Sequence, residues 1–411
     1  MKGRNVLIPS YMKDFKCIGS ACEDTCCSGW RVELDKNTYR YYKSCEDEEL
    51  KSVFDEMVSK NNSKKSDAAY GRIKMLDNGE CPFLDADKLC NIQLKLGEEH
   101  LSETCALYPR SLNKIDGKYE RSATVSCPEV ARLALLNPEG IVLEQIKEPY
   151  ENRIRVNKEF DTKGHMTVAK PQRYFWDIRM FGLSLLQNRD YDLGERLIIL
   201  GIVYQRIDAL RQNLSIGEIP DVLDTVQRLM DSGDFKKEID TVPVNTQIQM
   251  RIAKELADKR VVEGVKSKRY MDCFKETLVG LGFVKGESIE KVLEKYEYNY
   301  KEYLTPYLKE KGYIIENYLV NEYFKDLMPF GSYKTMWESY MFLCVLYSMT
   351  KLHMIGMAGF NKGISDEQVI KLIQSFSKVV LHNKTYIKSI ISLLKDNNYD
   401  TLPYMSILVK N

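Results

Sequence analysis

The sequence predicts a mainly α-helical protein whose first third carries a cysteine-rich module. Nine of the eleven cysteines lie before residue 128. Helical periodicity dominates after about residue 130, and no alternation of strand and helix patterns indicates a doubly wound sheet. We therefore predict a cysteine-rich metal-binding module over residues 1–130 and a helical domain over residues 131–411. The first module has room for short strands.

Apolar residues recur at helical spacing along the second part of the chain. Ile178, Phe181 and Leu185 form one stripe, and a longer one runs from Leu193 to Ile207. Residues three, four and seven positions apart lie on one face of an α-helix. Both segments are therefore predicted to be amphipathic helices.

Two capping-box patterns and three loops divide the predicted helical domain. Ser215–Glu218 and Ser365–Gln368 have the form in which a helix begins. We expect loops near residues 158–172, 231–245 and 355–364.

The charge balance excludes some classes of protein. Sixty basic residues face 59 acidic ones, a formal net charge of +1, so nothing in the overall charge favours nucleic acid or an anionic membrane surface. The apolar run Val6–Ile8 ends at Pro9 and is too short for a secretory signal. No uninterrupted apolar stretch approaches the ~20 residues of a membrane span. We therefore expect a cytoplasmic protein without a nucleic-acid or membrane partner.

Eight cysteines form a candidate metal site. Structural disulfides are rare in a reducing cytosol, whereas clustered thiolates bind zinc or iron–sulfur clusters. The spacing does not separate these two metals. The adjacent pair, Cys26 and Cys27, is not expected to bind one ion together. We interpret Cys45, Cys273 and Cys344 as core residues, and the candidate ligands are Cys17, Cys22, Cys26, Cys27, Cys81, Cys90, Cys105 and Cys127.

Several motifs resemble known families. Cys22-x3-Cys26-Cys27, the CPFL segment with Cys90, and the CALYP segment ending at Pro109 resemble a cysteine-rich family described as zinc- or iron-chelating. The fuller pattern resembles the flagellin lysine-N-methylase family along nearly the whole chain. The segments that carry this second resemblance are PSYMKDFKC (9–17), CCSGW (26–30), SCPEVARL (126–133), ENYLVNEYF (316–324) and MPF (328–330).

This resemblance implies an enzyme that methylates lysine ε-amino groups of flagellin with S-adenosylmethionine, in the bacterial cytoplasm before export. It also implies a [4Fe-4S] cluster in the cysteine module, with zinc as the alternative. The cysteines do not match the C-x3-C-x2-C loop of radical enzymes, because Gly29 stands where the third cysteine would fall. An alternative function is a metal-chelating or metal-sensing protein without catalysis.

A tyrosine-rich segment supplies the predicted methyl-transfer site. Eight tyrosines lie between Tyr296 and Tyr323, and tyrosine rings can stabilise a cation. We predict catalytic roles for Tyr318 and Tyr323. The residues predicted to bind the methyl donor are Glu316, Asn317 and Asn321, the two asparagines being on one helix face.

Overall fold

The computed structural model describes residues 3–28, 32–62, 66–149 and 155–410; Gly29 and Trp30 of the CCSGW motif lie outside these ranges. The strands are β1 Gly3–Pro9, β2 Glu33–Leu34, β3 Val58–Lys60, β4 Gly71–Ile73, β5 Arg110–Ile115, β6 Lys118–Ala123, β7 Leu143–Pro149 and β8 Lys158–Phe160. The helices are α1 Lys36–Lys43, α2 Glu48–Met57, α3 Asn91–Leu96, α4 Glu103–Leu107, α5 Pro128–Leu135, α6 Phe175–Leu186, α7 Leu193–Gln212, α8 Ile219–Asp231, α9 Asp234–Asp240, α10 Thr246–Val262, α11 Lys268–Leu281, α12 Ile289–Asn299, α13 Thr305–Lys311, α14 Tyr313–Lys325, α15 Met336–Asn361, α16 Asp366–Val380, α17 Lys384–Asp396 and α18 Leu402–Val409.

The protein is mainly helical, as predicted, and its short strands form two sheets. A five-stranded sheet has the order β7-β1-β6-β5-β8, and a three-stranded antiparallel sheet has the order β2-β4-β3. The hairpin between β5 and β6 turns at Asp116 and Gly117, which have φ angles of 49° and 79°. Two adjacent positive φ values match the twist of a tight hairpin. Strands therefore occur within the cysteine-rich part of the chain.

Among the described residues, two large hydrophobic cores and two small clusters around the five-stranded sheet hold these elements. The smaller core lies between Val32 and Leu101 and centres on Phe54 and Phe83. The larger core combines the helices from α5 onward with the start of the chain, through Tyr11. Residues of α5 also lie in the larger core, so the predicted domain boundary near residue 130 falls inside a helix of the helical body.

Helix α15 crosses the centre of the larger core. By length and composition it could cross a membrane, although Ser348, Thr350 and Lys351 interrupt its apolar run; its whole apolar window is buried inside the protein. Its last turn also lies where we predicted a loop. A Cβ on Gly356 would meet the Thr277 backbone oxygen at 2.5 Å, and one on Gly359 would meet the Asn299 side chain. These glycines allow neighbouring helices to approach and do not form a turn.

Other local predictions have mixed outcomes. The capping box at Ser365 is confirmed, with both reciprocal hydrogen bonds. The one at Ser215 is wrong, because a 3₁₀ turn follows that residue and α8 begins only at Ile219. The loops predicted near residues 158–172 and 231–245 contain β8 and α9, both of which carry buried or half-buried aromatic residues.

Candidate functional site

The residues predicted to bind the donor lie on α14 in the core. Glu316, Asn317 and Asn321 are each at most 2 % exposed. The two asparagines share one face, as predicted, and this face packs against backbone carbonyl groups. Asn317 Nδ2 donates to the Leu135 and Asn137 oxygens at 3.2 and 2.8 Å.

Asn321 joins α14 to the start of the chain. Its Nδ2 donates to the Ala123 oxygen at 3.1 Å, and its Oδ1 accepts from the Tyr11 hydroxyl at 2.6 Å. Glu316 binds two guanidinium groups, Arg196 at 2.6 Å and Arg189 at 2.9 Å. These contacts anchor α14 on three sides.

The two predicted catalytic tyrosines on α14 do not meet each other. The Tyr318 hydroxyl accepts a hydrogen bond from Ser377 of α16 at 3.2 Å, and the Tyr323 hydroxyl lies 2.7 Å from that of Tyr204. Burial raises the pKa of both phenols. The roles of α14 in catalysis and donor binding stay predictions.

Cys26 interacts with six of the other seven candidate metal ligands. Its thiol interacts electrostatically with Cys22, Cys27, Cys81, Cys90, Cys105 and Cys127. The Cys26 and Cys27 sulfurs are 3.8 Å apart, and the hydrogen bond between them lowers the pKa of Cys26 to about 7. The exposed Cys17 shares no described contact with the other seven.

Two of these cysteines stand directly before helices. Cys90 precedes α3 and Cys127 precedes α5, and neither side chain makes a capping hydrogen bond. The N–H groups of each first turn nevertheless lie near the sulfur and oppose the rise in its pKa. These donors favour the thiolate, although burial outweighs them and raises the pKa of both thiols.

The donor chemistry therefore fits a thiolate-bound metal, whereas the spacing is looser than coordination requires. Among the described residues, no three Cys, His, Asp or Glu side chains are arranged to hold one metal ion. The thiols can interact electrostatically without being close enough to bind one ion, because electrostatic interactions reach farther than a zinc–sulfur bond of about 2.3 Å. Cys45, Cys273 and Cys344 are buried, the last two in the larger core away from this cluster.

The loop that carries Cys22, Cys26 and Cys27 is called the cysteine loop below. An ion pair anchors it to α16. Asp24 accepts from Lys378 at 3.0 Å and from Gln374 at 2.9 Å, and Lys378 also donates to the Thr25 carbonyl. Gln374 donates in addition to the Ser126 carbonyl. One helix of the larger core therefore holds the loop that carries Cys26.

A cleft of about 1470 Å³ opens beside this anchor. One wall consists of the cysteine loop and the residues around β4, and the other consists of the ends of α10, α11, α16 and α17. Ten lysine and arginine side chains line it against five carboxylates. The cations are Arg72, Lys74, Lys88, Arg260, Lys266, Lys268, Arg269, Lys371, Lys378 and Lys384, and the carboxylates are Glu23, Asp24, Glu33, Glu80 and Asp272.

A histidine lies on the helical wall of the cleft. His382 has an exposed face, and its Nε2 lies 2.8 Å from the Ser126 hydroxyl, which also contacts the Tyr108 hydroxyl at 3.1 Å. Reduced solvation and the charges of Lys325 and Lys378 lower the pKa of His382 to about 4. The ring is therefore neutral at pH 7.

The sequence did not point to this cleft. Its cations come from four distant segments, and their charge is offset by acidic residues elsewhere. A local signal existed: Lys268 and Lys384 are the first residues of α11 and α17. A cation is unfavourable at a helix N-terminus, so its presence there indicates another use.

Comparison with known proteins gives a consistent match. A family model described as the FliB lysine N-methylase C-terminal domain matches residues 179–408, more than half of the chain. A lysine-N-methylase of Salmonella typhimurium is 23 % identical over 400 residues, which cover 95 % of each chain.

Two shorter matches agree with this one. A lysine-N-methylase of Salmonella choleraesuis is 26 % identical over 264 residues, 63 % of this chain and 62 % of the relative. The flagellar biosynthetic protein FliU of Salmonella muenchen is 36 % identical over 151 residues, 36 % of this chain and 86 % of the relative. No solved structure matches the chain.

Proposed function

This chain belongs to the flagellin lysine N-methylase family and is a lysine methyltransferase, and we propose that it methylates lysine ε-amino groups of flagellin with S-adenosylmethionine. We place the reaction in the cytoplasm, before the substrate is exported. Two relatives are named lysine-N-methylase, which supports lysine as the methylated residue. The flagellum-related name of a third supports flagellin as the substrate.

One observation supports the cleft as the site of this reaction. The helical wall of the cleft, from Arg260 to Asp272 and from Lys371 to Thr385, lies within residues 179–408, the part matched by the methylase model. Pockets for one small ligand usually measure ~300–1000 Å³. A cleft of about 1470 Å³ has room for a methyl donor and a segment of protein substrate.

The cleft also favours the reactive form of the substrate. S-adenosylmethionine, when bound, supplies a methyl group on a sulfonium centre. The attacking lysine must first lose a proton, and its usual pKa is ~10.4. The surplus of cations in the cleft opposes a second ammonium group nearby and so lowers the pKa of the entering lysine. The residues of α14 support this wall from behind, through Tyr318 and Ser377.

We further propose that the thiols around Cys26 hold a metal cofactor, a [4Fe-4S] cluster or zinc. Both favour soft sulfur ligands, and the N–H groups near Cys90 and Cys127 act to lower the pKa of these thiols, which favours the thiolate. Methyl transfer to an amine needs no electron transfer. The metal would therefore join the cysteine loop to the smaller core, against which Cys27, Cys81 and Cys105 pack.

Methylation of flagellin is the direct test. We expect the purified protein to convert flagellin lysines to methyl-lysine in the presence of labelled S-adenosylmethionine, with mass spectrometry locating the methyl groups. Flagellin alone and the donor alone serve as controls. Absence of methyl-lysine from protein with a full metal complement would refute the methylase proposal and favour a metal-chelating or sensing function.

Cys105→Ser is expected to lose most of the bound metal. The Cys105 thiol packs against the smaller core and interacts with Cys26, Cys81 and Cys90. Loss of one ligand or its support typically lowers metal affinity by roughly 10–100-fold or more. Metal analysis and visible absorption after anaerobic purification measure this loss.

The matched variant is Cys17→Ser. Cys17 is exposed and shares no described contact with the other thiols, so its replacement should leave metal content unchanged. Equal metal loss in both variants would place Cys17 among the ligands, and normal metal content in Cys105→Ser would remove Cys105 from them.

A further inference from the structure

The cleft concentrates charge in a protein that is nearly neutral overall. Its lining has ten cations against five carboxylates, whereas the whole chain has a formal net charge of +1. Concave walls of protein focus an electrostatic potential. The cleft is therefore a positive surface that attracts anionic ligands.

The protein's own carboxylates balance part of this charge. Asp24 pairs with Lys378, and Glu23 pairs with Arg269 and also with Arg132, which is not part of the lining. By contrast, Lys268 and Lys384 have no ion-pair partner among the residues that the structure describes, and both are exposed. Cations on the cleft walls are therefore available to a ligand.

The cations of the cleft act mostly as single point charges. Seven of the ten are lysines, which act as single point charges. The guanidinium of Arg260 is turned to the Val379 and Gly264 carbonyls, and Arg269 faces Glu23. These two arginines are therefore not free to hold an anion in forked geometry, and the cleft offers mainly lysines, which can pair with the carboxylates of a flexible chain one at a time.

The lack of aromatic side chains among the described residues of the lining argues against nucleic acid as the ligand. No phenylalanine, tyrosine or tryptophan appears among the described residues that line the cleft. Proteins that bind single strands use such rings as stacking platforms for the bases. A flexible polypeptide with several carboxylates needs no stacking and fits the cleft in both size and charge.

We propose that this cleft binds an acidic segment of the protein substrate, one in which aspartate or glutamate residues flank the lysine to be methylated. This inference rests on the proposed methylase function and specifies the substrate that the same cleft accepts. The flanking carboxylates pair with the lysines of the walls. Seven lysines line the cleft, so cations remain when a few flanking carboxylates have paired, and these still oppose the ammonium form of the entering lysine.

The test uses the full-length protein and two synthetic peptides. Each peptide carries one lysine; one has flanking Asp and Glu residues, and the other has Asn and Gln at the same positions. Binding is measured without methyl donor, at low and at physiological ionic strength. We expect the acidic peptide to bind more tightly and to weaken as salt rises. Equal binding of the two peptides would overturn the proposal.

The double variant K268E/K384E locates the binding surface. Both lysines begin helices, where a glutamate is favourable, so the fold should be retained. We expect the acidic peptide to bind at least roughly tenfold more weakly, because like charges then face each other. The matched control K285E/K388E changes the same charge at exposed positions outside the cleft, and its affinity should equal that of the unmodified protein. Unchanged affinity in K268E/K384E would overturn the proposal.

Two further outcomes separate the alternatives. A single-stranded oligonucleotide of equal charge should compete poorly; competition as effective as that of the acidic peptide would instead identify a nucleic-acid surface and refute the proposal. Binding of the acidic peptide without any methylation would leave this inference standing and refute the methylase function. Normal methylation of the acidic peptide by K268E/K384E would support the methylase function and refute the proposal that the cleft lysines bind the acidic segment.

Discussion

Glu316→Gln is expected to lower the free energy of unfolding by on the order of 3–5 kcal/mol, because it leaves a buried charge without its partner. Glu316 is the carboxylate that binds Arg196 at 2.6 Å, and the two side chains are 3 % and 7 % exposed. Arg189 lies on the same carboxylate but is half exposed, so water can compensate it. Chemical denaturation at pH 7 measures the loss.

Two further variants make this result interpretable. Glu310→Gln removes an exposed glutamate on the neighbouring helix α13 and should change stability by no more than about 0.5 kcal/mol. Glu316→Gln/Arg196→Gln should recover part of the loss, since neither buried charge remains. A stable Glu316→Gln protein that no longer binds S-adenosylmethionine would support the role in donor binding that the sequence predicted.

Lys351→Met is expected to stabilise the protein at pH 7. Lys351 lies in α15, is 2 % exposed, and has its ammonium group over the rings of Tyr300 and Tyr347 at 5.9 and 5.5 Å. Burial lowers the pKa of its amine from 10.5 to about 7. A shift of this size corresponds to on the order of 4 kcal/mol of destabilisation when the group is protonated in both states.

The pH dependence has a definite sign. Below pH 7 the amine is protonated in both folded and unfolded protein, and the full cost of burial is present. Between pH 7 and 10.5 the unfolded chain binds the proton more strongly, so stability rises with pH. Denaturation curves at pH 7 and pH 10 should therefore differ more for the unmodified protein than for Lys351→Met. Lys285→Met, at an exposed site, should leave that difference unchanged; an equal difference in all three proteins would contradict the prediction.

The helices were predictable because periodicity is a local signal. The stripe from Ile178 to Leu185 became α6, and the capping box at Ser365 began α16. The end of α15 was mistaken for a loop because its glycines serve contacts with Thr277 and Asn299, which are distant in sequence. Such contacts depend on the tertiary structure and leave no pattern within a short window.

The use of the α14 asparagines was hidden for a related reason. Their placement on one face was predicted, but the groups they bind are backbone carbonyls about 180 and 198 residues away. A backbone carbonyl is present at every residue and gives no sequence signal. The gathering of cysteines around Cys26 was predictable in outline, because the close spacing of thiols is itself a local signal.

The anchor between Asp24 and α16 affects the order in which each molecule is completed. Gln374 and Lys378 follow Asp24 by 350 and 354 residues. Ribosomes add about 5–20 residues per second, so the cysteine loop waits for its helix for roughly 20 to 70 seconds after synthesis. During that time its thiols are exposed to oxidants and to any metal in the cell. Loading of a cofactor during synthesis would therefore precede the attachment of the loop, and a chain interrupted before residue 374 would carry the cysteines without their anchor.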